Sequence, residues 1–465
     1  MICNCTRPKN STMRIHFIAI GGSAMHNMAI AMHKKGFRVT GSDDEILEPS
    51  RSRLAQHGLL PASEGWNPDI ISTEIDAVIL GMHARAENPE LLKAQELGLK
   101  IYSYPEYLYE QSKNKTRVVI GGSHGKTTVT AIILHVLRHC GIDADYMVGA
   151  QLAGFDTMVK ITEEAPFIVL EGDEYLSSPV DRRPKFHLYK PHIALLSGIA
   201  WDHVNVFPTF ENYVDQFRTF IQLIEKDGAL VYCWDDPVLR KIAAEGRPDI
   251  TRVPYGIPKH KVSDGVTSLT RGGKESPLLV FGNHNLMNVE GARLVCLRMG
   301  VTDDQFLDAI QSFKGAARRL ELVDRNDTFS CYKDFAHSPS KLKATTAAVK
   351  NQFPGRKLTA CMELHTFSSL TAEFLKEYAG AMDTADEAYV YFNPHTIAHK
   401  KLPPISEEQV KEAFARKDLQ VFTDSEKLVG ELKTKSWENA NLLLMTSGNF
   451  DGVDFNALAK ELIGK

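Results

Sequence analysis

Short apolar runs recur along the chain, each followed by glycine or polar residues and then by a stretch with helical periodicity. In the N-terminal part they occupy residues 15–20, 37–40, 77–80 and 100–102. Apolar runs of this length, bounded by turn residues, are typical of buried strands, and their alternation with helical segments predicts a parallel α/β sheet.

The same alternation continues through the rest of the sequence. The later predicted strands occupy residues 118–120, 167–170, 193–196, 357–362, 388–392, 419–422 and 441–445, and residues 332–337 end a further one that leads into a helix. The segment 246–274 is instead rich in Gly, Pro and Lys, which predicts irregular surface structure. We therefore expect α/β domains over residues 14–113, 114–315 and 316–465, after a disordered extension at residues 1–13.

One predicted strand runs directly into glycines and then into a helix, with the sequence Val-Val-Ile-Gly-Gly-Ser-His-Gly-Lys-Thr-Thr at residues 118–128. A strand, a glycine turn and a helix N-terminus together present backbone N–H groups to phosphate oxygens. In that setting Lys126 would reach the β- and γ-phosphates, and the Thr127 hydroxyl would face Mg²⁺. The general pattern G-x-x-x-x-G-K-[ST] puts its first glycine at Ile120, so the match is incomplete. A loop that needs glycine only for its turn is the alternative.

A second glycine turn follows the first predicted strand. Gly21 and Gly22 lie at its carboxyl end, and Asp43 comes roughly twenty residues later, where a ribose-binding acid belongs. The dinucleotide pattern G-x-G-x-x-G is absent, because Ala19 and Ala24 occupy its outer glycine positions. NAD is therefore disfavoured, while another nucleotide or an ordinary strand-to-helix turn remains open.

Polar residues also follow other predicted strands. Glu171 ends one strand, where an acid near a phosphate loop contacts a metal or caps a helix. His203 follows the next strand and by itself is as consistent with a structural role. Asn285 and Asn288 begin a predicted helix, which they either cap or use to bond a nucleotide base.

Composition narrows the class of protein. The 465 residues carry a formal net charge of −4, which argues against nucleic acid as the main partner. We find no apolar run of 18 residues that would predict a membrane span, and no apolar N-terminal stretch of a secretory signal. The seven scattered cysteines are typical of a reducing, cytoplasmic compartment. The oligomeric state is not indicated.

Taken together, the three blocks resemble the Mur ligase family, ATP-dependent amide-forming enzymes of peptidoglycan synthesis. The family's loop has the form G-x-x-G-K-[TS], which residues 122–127 fit. Residues 15–25 resemble its UDP-binding opening, residues 282–288 its adenine-contacting segment, and Arg318-Arg319 its arginine motif. The resemblance implies a Rossmann-like N-terminal domain for the UDP-sugar, a central P-loop ATPase domain and a Rossmann-like C-terminal domain for the amine substrate.

The resemblance also implies a set of roles. The carboxylate of UDP-N-acetylmuramate would be activated by ATP as an acyl phosphate and then attacked by the amine of an amino acid or peptide. The residues implied to bind ATP are Gly122, Ser123, His124, Gly125, Lys126, Thr127, Thr128, Asn285, Asn288, Arg319 and Asp334. Those implied to bind the UDP-sugar are Gly21, Gly22, Ser23, Ala24, Met25, Ser42, Asp43 and His83. Those implied to act in catalysis are Lys126, Glu171, His203, Arg319 and His337. Those implied to hold Mg²⁺, as two ions, are Thr127, Glu171 and His203.

Two branches of the family compete. One joins UDP-N-acetylmuramate to L-alanine, and the other joins it to the recycled tripeptide L-alanyl-γ-D-glutamyl-meso-diaminopimelate. Residues 171–186 and 334–337 resemble the recycling branch more closely. Ser338 replaces a second His of both branches, Lys333 stands where an acid is common, and residues 363–367, implied to choose the amine, match neither form. A kinase or nucleotide switch, or an inactive UDP-sugar sensor, is the alternative of another class.

Overall fold

The computed structural model describes residues 12–152, 154–201, 206–245, 247–263, 265–315 and 320–463. The chain divides into two compact units. The first unit comprises the described residues up to Gly256 together with Asn288–Phe306, and the second comprises Ile257–Met287 together with the described residues from Leu307 on.

Strands and helices alternate along most of the described chain. The strands are β1 (Arg14–Ile18), β2 (Arg38–Ser42), β3 (Ala77–Leu80), β4 (Ile101–Ser103), β5 (Thr116–Gly121), β6 (Ala144–Met147), β7 (Val159–Lys160), β8 (Phe167–Glu171), β9 (Ile193–Leu196), β10 (Ala229–Cys233), β11 (Thr251–Tyr255), β12 (His260–Ser263), β13 (Val266–Arg271), β14 (Lys274–Leu278), β15 (Glu321–Arg325), β16 (Phe329–Asp334), β17 (Lys357–Leu364), β18 (Glu387–Phe392), β19 (Gln420–Phe422) and β20 (Ala440–Met445). The α-helices are α1 (Ser23–Lys34), α2 (Ser50–Gln56), α3 (Pro89–Glu96), α4 (Tyr104–Ser112), α5 (Lys126–His139), α6 (Phe210–Gln222), α7 (Pro237–Ala244), α8 (Asn283–Arg298), α9 (Asp303–Ile310), α10 (Pro339–Gln352), α11 (Ala372–Leu375), α12 (Pro394–His399), α13 (Glu407–Phe414), α14 (Ser425–Lys433) and α15 (Phe455–Ile463). No described helix is long and apolar enough to cross a membrane.

The first unit contains two sheets. A four-stranded parallel sheet has the order β2-β1-β3-β4, and a seven-stranded sheet has the order β11-β10-β9-β5-β8-β6-β7, parallel except where β7 pairs with β6. In the larger sheet β5 lies between β8 and β9, with Ile120 in register with Glu171 and Gly121 in register with Leu196. The glycine turn after β5 therefore starts beside the carboxyl ends of both neighbouring strands.

The second unit is built on a six-stranded sheet of order β15-β16-β20-β17-β18-β19, parallel except for the edge strand β15. Alternate residues of β17 enter different hydrophobic cores: Ala360 and Met362 pack into one, and Cys361 into the other. Both faces of this sheet are thus covered, as expected for parallel sheets. The α/β fold with parallel, Rossmann-like sheets is confirmed.

The prediction of irregular structure at 246–274 is wrong. This segment supplies β11 to the seven-stranded sheet and begins a three-stranded antiparallel sheet of β12, β13 and β14 in the second unit. Gly272 and Gly273, with φ of 56° and 80°, form a two-residue turn between the paired residues Arg271 and Lys274. Two successive left-handed residues make a tight turn whose twist matches its strands. The glycines therefore mark a hairpin.

Candidate active site

The glycine turn predicted to bind phosphate lies between β5 and α5. Gly122 and Gly125 have φ of 116° and 80°, a region that favours glycine, and Gly125 precedes the first helical residue, Lys126. A Cβ atom at Gly125 would collide with the side-chain oxygen of Asn288. The turn therefore requires glycine both for its backbone and for this close approach, and it leaves the amides at the start of α5 at the carboxyl edge of the sheet.

Lys126 is held by two acceptors, of which one belongs to this turn and the other follows β8. Its Nζ donates to the carbonyl oxygen of Gly122 and to Oε2 of Glu174, each at 2.7 Å. Glu174 is 1% exposed, and its Oε1 accepts a hydrogen bond from the Tyr213 hydroxyl at 3.1 Å. Glu174 and Tyr213 were absent from the predicted site residues. Only the acid cluster after residues 167–170 signalled Glu174, and nothing in the sequence signalled Tyr213.

Thr127 and Glu171 are brought together, as their predicted shared role requires. The Thr127 hydroxyl donates to Glu171 Oε1 at 3.0 Å, and the Gly149 amide donates to Oε2 at 3.0 Å. Burial raises the pKa of Glu171 above its ordinary value, while the Gly149 bond and the charge of Lys126 act in the opposite direction. A hydroxyl beside a carboxylate offers the oxygen ligands that Mg²⁺ prefers.

Asp173 and Lys185 form a second ion pair beside this cluster. Their Oδ2 and Nζ atoms are 2.5 Å apart. Burial of Asp173 favours the neutral acid, but the charge and hydrogen bond of Lys185 outweigh it and hold the pKa of Asp173 below its ordinary value. Lys185 also lies over the ring of Tyr104, 5.9 Å from its centroid. Residues 171–186 are therefore folded back on themselves next to the phosphate turn.

Other predicted ATP-site residues occupy varied positions. The Ser123 hydroxyl donates to the Ala200 carbonyl oxygen at 2.9 Å, and the His124 carbonyl oxygen accepts a hydrogen bond from the Ser197 hydroxyl. Thr128 is buried in α5. Asn285 donates to the carbonyl oxygen of Phe281 at 3.0 Å within its own segment. His203 and Arg319 lie outside the described residues.

The second glycine turn, after β1, is fixed by β2. The predicted strand 15–20 ends early, at Ile18, because Ala19 turns to a φ of 67°, and the amides of Ala19 and Ile20 both donate to the Ser42 carbonyl oxygen. The Gly21 amide donates to Asp43 Oδ2 at 2.6 Å. Asp43 thus stabilises the turn itself, whether or not it also binds a ribose.

The remaining residues predicted for the UDP-sugar differ in exposure. Gly22 precedes α1, in which Ser23 is exposed, Ala24 is half-buried and Met25 is buried. His83 is exposed in the turn that follows β3. Because β1 lies between β2 and β3, the residues after these three parallel strands face the same edge of the sheet.

In the second unit, polar side chains gather where strands of the six-stranded sheet end. Asp334 ends β16 and accepts from the Leu320 amide at 2.5 Å, and His337 Nδ1 lies 2.9 Å from the Phe335 carbonyl oxygen. On β17, which β20 separates from β16, the buried Glu363 accepts from the Phe450 amide at 2.9 Å, and its Oε1 lies 3.4 Å from Nδ1 of the partly exposed His365.

Comparison with known proteins decides the family. The chain matches the Mur ligase middle domain over residues 120–296, the Mur ligase family catalytic domain over residues 14–116, and the Mur ligase glutamate ligase domain over residues 318–448. A UDP-N-acetylmuramate–L-alanine ligase of Arthrobacter sp. (strain FB24) is 32% identical over 83% of this chain and 82% of its own length. The chain belongs to the Mur ligase family.

It is accordingly an ATP-dependent carbon–nitrogen ligase. A second relative, the UDP-N-acetylmuramate–L-alanine ligase of Renibacterium salmoninarum, is 30% identical over 95% of this chain and 94% of its own length. Among solved structures, a murein peptide ligase of Psychrobacter arcticus 273-4 has a TM-score of 0.60 at 22% identity, covering 97% of this chain and 98% of its own. The UDP-N-acetylmuramate–alanine ligase of Thermotoga maritima has a TM-score of 0.66 at 20% identity, with the same coverage. At these identities the two structures support the fold.

The residues present fit the Mg²⁺ and ATP that Mur ligases use. Lys126 offers a cation and Thr127 a hydroxyl next to the Glu171 carboxylate, all at the start of one helix and the end of the adjacent strand. Within the described residues, no group of three His, Cys, Asp or Glu side chains forms a metal cluster on its own. In proteins a few oxygens typically share Mg²⁺ with water and substrate phosphates, which is the role that Thr127 and Glu171 could fill.

Proposed function

We propose that this Mur ligase joins the carboxylate of UDP-N-acetylmuramate to the amine of the tripeptide L-alanyl-γ-D-glutamyl-meso-diaminopimelate, as a cytoplasmic enzyme of cell-wall recycling. The observation that carries the ligase chemistry is the contact set of Lys126, Thr127 and Glu171 at the carboxyl edge of the seven-stranded sheet. The second glycine turn, held by Asp43, lies in the same unit and is the proposed UDP-sugar site.

These residues suit the activation of a carboxylate. A carboxylate is a poor acyl donor until one of its oxygens has attacked the γ-phosphate, after which phosphate is the leaving group when the amine attacks. Bringing two anions together costs several kcal/mol unless cations intervene. Phosphoryl transfer thus depends on positioning and charge neutralisation. Lys126 supplies one cation, and Thr127 and Glu171 would hold the Mg²⁺ that supplies further positive charge.

The remaining roles are proposals from the family resemblance. His203 would contact a second Mg²⁺, and Arg319 and Asp334 would bind ATP. His337 would orient the amine or its carboxylate. Its ring stands against Phe335, with ring centroids 5.2 Å apart, and its carbonyl oxygen accepts from the Tyr378 hydroxyl. These contacts fix the backbone at the start of α10.

A groove in the second unit supports the larger of the two candidate amine substrates, the tripeptide. Beyond β18 and β19 lies a groove of about 860 Å³, lined in part by Tyr391, Asn393, Thr423 and Asp424. Phe367, in the segment implied to choose the amine, lies outside this groove and is 61% exposed. A single alanine would leave most of the groove unused, whereas a tripeptide would contact more of it. L-Alanine is the second candidate, favoured by the names of the curated relatives.

One experiment separates these candidates. The purified protein is incubated with ATP, Mg²⁺ and UDP-N-acetylmuramate, with L-alanine or the tripeptide offered separately, and the products are weighed by mass spectrometry. We expect the UDP-muramyl tripeptide, no product without amine, and no phosphate release from Lys126→Ala. Product with L-alanine alone would overturn the tripeptide proposal.

The same assay distinguishes other classes of function. A stable phosphate ester of the UDP-sugar, formed without amine, would indicate a kinase, because the acyl phosphate of the ligase reaction is labile to hydrolysis. Bound UDP-sugar without any ADP would indicate a sensor. Full turnover by Lys126→Ala would mean that the glycine turn is not the ATP site.

A further inference from the structure

Glu174 is hydrogen-bonded to Lys126, the lysine of the phosphate turn. We propose that Glu174 is a positioning residue for phosphoryl transfer, which directs the Lys126 ammonium group toward the phosphates. The inference rests on the proposed contact between Lys126 and ATP, and it gives Glu174 a role distinct from metal binding by Glu171.

The geometry leaves one direction for the lysine. An ammonium group has three N–H donors in fixed relative directions. Two of them bond to the Gly122 carbonyl oxygen and to Glu174 Oε2 at 2.7 Å. The Lys126 side chain is 16% exposed and that of Glu174 is 2% exposed, so the pair is largely shielded from water. The direction of the third N–H is thereby set before a phosphate arrives.

Glu174 is itself held by the Tyr213 hydroxyl, which lies beside the turn. The Tyr213 hydroxyl, on α6, donates to Glu174 Oε1 at 3.1 Å and lies 3.0 Å from the Ser123 hydroxyl oxygen. Ser123 belongs to the same turn as Gly122. Tyr213 is fully buried and packs edge-on against Phe217 at 5.2 Å between centroids. The Glu174 carboxylate is therefore anchored to α6 through Oε1 and bonded to Lys126 through Oε2.

The negative charge of Glu174 argues against a role in binding ATP electrostatically. Glu171 bonds to Thr127, and Asp173 is paired with Lys185, which leaves Glu174 as the acid hydrogen-bonded to Lys126. A carboxylate next to a phosphate site repels the nucleotide. If Glu174 contributes by orientation, its removal should slow turnover without weakening ATP binding.

The test compares Glu174→Ala, Glu174→Gln and Tyr213→Phe in the full chain, assayed with whichever amine the wild type uses. For Glu174→Ala we expect kcat at saturating Mg²⁺-ATP to fall ~10- to 100-fold, the scale of a misplaced catalytic group, with a KM for ATP no higher than that of the wild type. Glu174→Gln keeps an oxygen acceptor for Lys126 and should recover kcat to within about fivefold. Tyr213→Phe should fall between the two.

Glu211→Gln is the matched control, because Glu211 lies on the same helix as Tyr213 but pairs with Arg218 at the surface. Its kcat should stay within about twofold of the wild type, as expected for exposed pairs. The inference is overturned if the kcat of Glu174→Ala stays within about twofold of the wild type, or if the only change in that variant is a higher KM for ATP. It is also overturned if Glu174→Gln is as slow as Glu174→Ala. If Glu174→Ala does not fold, Glu174→Gln and Tyr213→Phe are compared with the wild type instead. A wild-type kcat in Tyr213→Phe overturns the inference, and so does a defect in both variants that is confined to the KM for ATP.

Failure of the proposed function is distinguishable from failure of this inference. Full turnover by Lys126→Ala would remove the proposed ATP site itself. Loss of turnover in Lys126→Ala, combined with normal kcat in Glu174→Ala, would remove only the positioning role of Glu174.

Discussion

Buried carboxylates that accept backbone N–H bonds recur at the ends of the strands. Asp43 accepts from Gly21, Glu171 from Gly149, and Glu363 from Phe450. Burial disfavours the ionised form of such groups, whereas N–H donors and cations favour it. At Asp43 burial dominates, and the neighbouring Asp44 adds to it, so the pKa of Asp43 is raised to about 6.

Because of this raised pKa, Asp43 contributes less to the stability of the folded protein at neutral pH, where Asp43 is ionised, than at a pH where Asp43 is protonated. The folded protein binds a proton at Asp43 up to about pH 6, whereas the unfolded chain releases it near 3.8. Stability contributed by Asp43 is therefore lost as the pH rises through this window. In Asp43→Asn the amide oxygen can still accept from Gly21, and no charge forms. We expect the stability of the variant relative to the wild type to increase by ~1 kcal/mol between pH 5 and pH 8.

Urea unfolding of the ligand-free proteins at the two pH values measures this difference. A relative stability that is the same at both would show that the ionised Asp43 carboxylate is not penalised in the folded state.

At the scale of the element, α5 begins and ends with glycines of left-handed conformation. Gly125 has a φ of 80° and Gly141 a φ of 70°, but only Gly125 lies against another side chain, that of Asn288. An added Cβ at Gly141 would meet nothing within 4 Å. Substitutions at these two glycines therefore distinguish the effect of backbone strain, which both share, from the effect of the contact with Asn288, which only Gly125 makes.

We expect Gly141→Ala to lose ~1–2 kcal/mol of stability, the cost of alanine in this conformation, and Gly125→Ala to lose at least as much because its Cβ also collides with Asn288. Only Gly125→Ala should also lose nucleotide affinity, by more than about tenfold, because Asn288 and the first turn of α5 must shift and the amides no longer converge. Calorimetric titration with a non-hydrolysable ATP analogue and Mg²⁺ measures this. Equal affinities in the two variants would contradict the assigned role of the turn.

The sequence predicts well those elements whose formation depends on their own residues rather than on distant contacts. Runs such as residues 167–170 form strands because they are apolar on both faces, and Pro339 begins α10 because its fixed φ suits the first turn. The hairpin at Gly272-Gly273 was missed because glycine content was taken for irregularity, although left-handed pairs are what tight hairpins require.

Glu174 and Tyr213 show a different limit of sequence reasoning. They are 39 positions apart, and their contact depends on how α6 packs against the seven-stranded sheet. Periodicity predicts which residues of α6 face the core, but not that a buried hydroxyl will meet a particular carboxylate. The pair Thr127 and Glu171 is predictable because Thr127 follows β5 and Glu171 ends β8, and these strands are adjacent in the sheet.

At the scale of the whole molecule, the two glycine turns proposed to bind nucleotides belong to one compact unit. The turn after β1 and the turn after β5 lie in the first unit, whereas His337 and Glu363 lie in the second. A ligand that binds only the folded form stabilises the part of the chain that forms its site. The two nucleotides should therefore protect the first unit, each in its own segment.

We expect UDP-N-acetylmuramate at about 100 times its Kd to stabilise the first unit by ~2.7 kcal/mol, and Mg²⁺ with an ATP analogue to do the same independently. Hydrogen exchange measures this by segment: the sugar nucleotide should slow exchange at residues after β1 and β2, and the ATP analogue at Lys126–His139. Lys126→Ala is the matched control, since it should lose protection by the ATP analogue and keep that by the sugar nucleotide. If the ATP analogue still protects α5 in Lys126→Ala, binding of the triphosphate does not depend on that lysine. If the sugar nucleotide protects only the second unit, the turn after β1 is not its binding site.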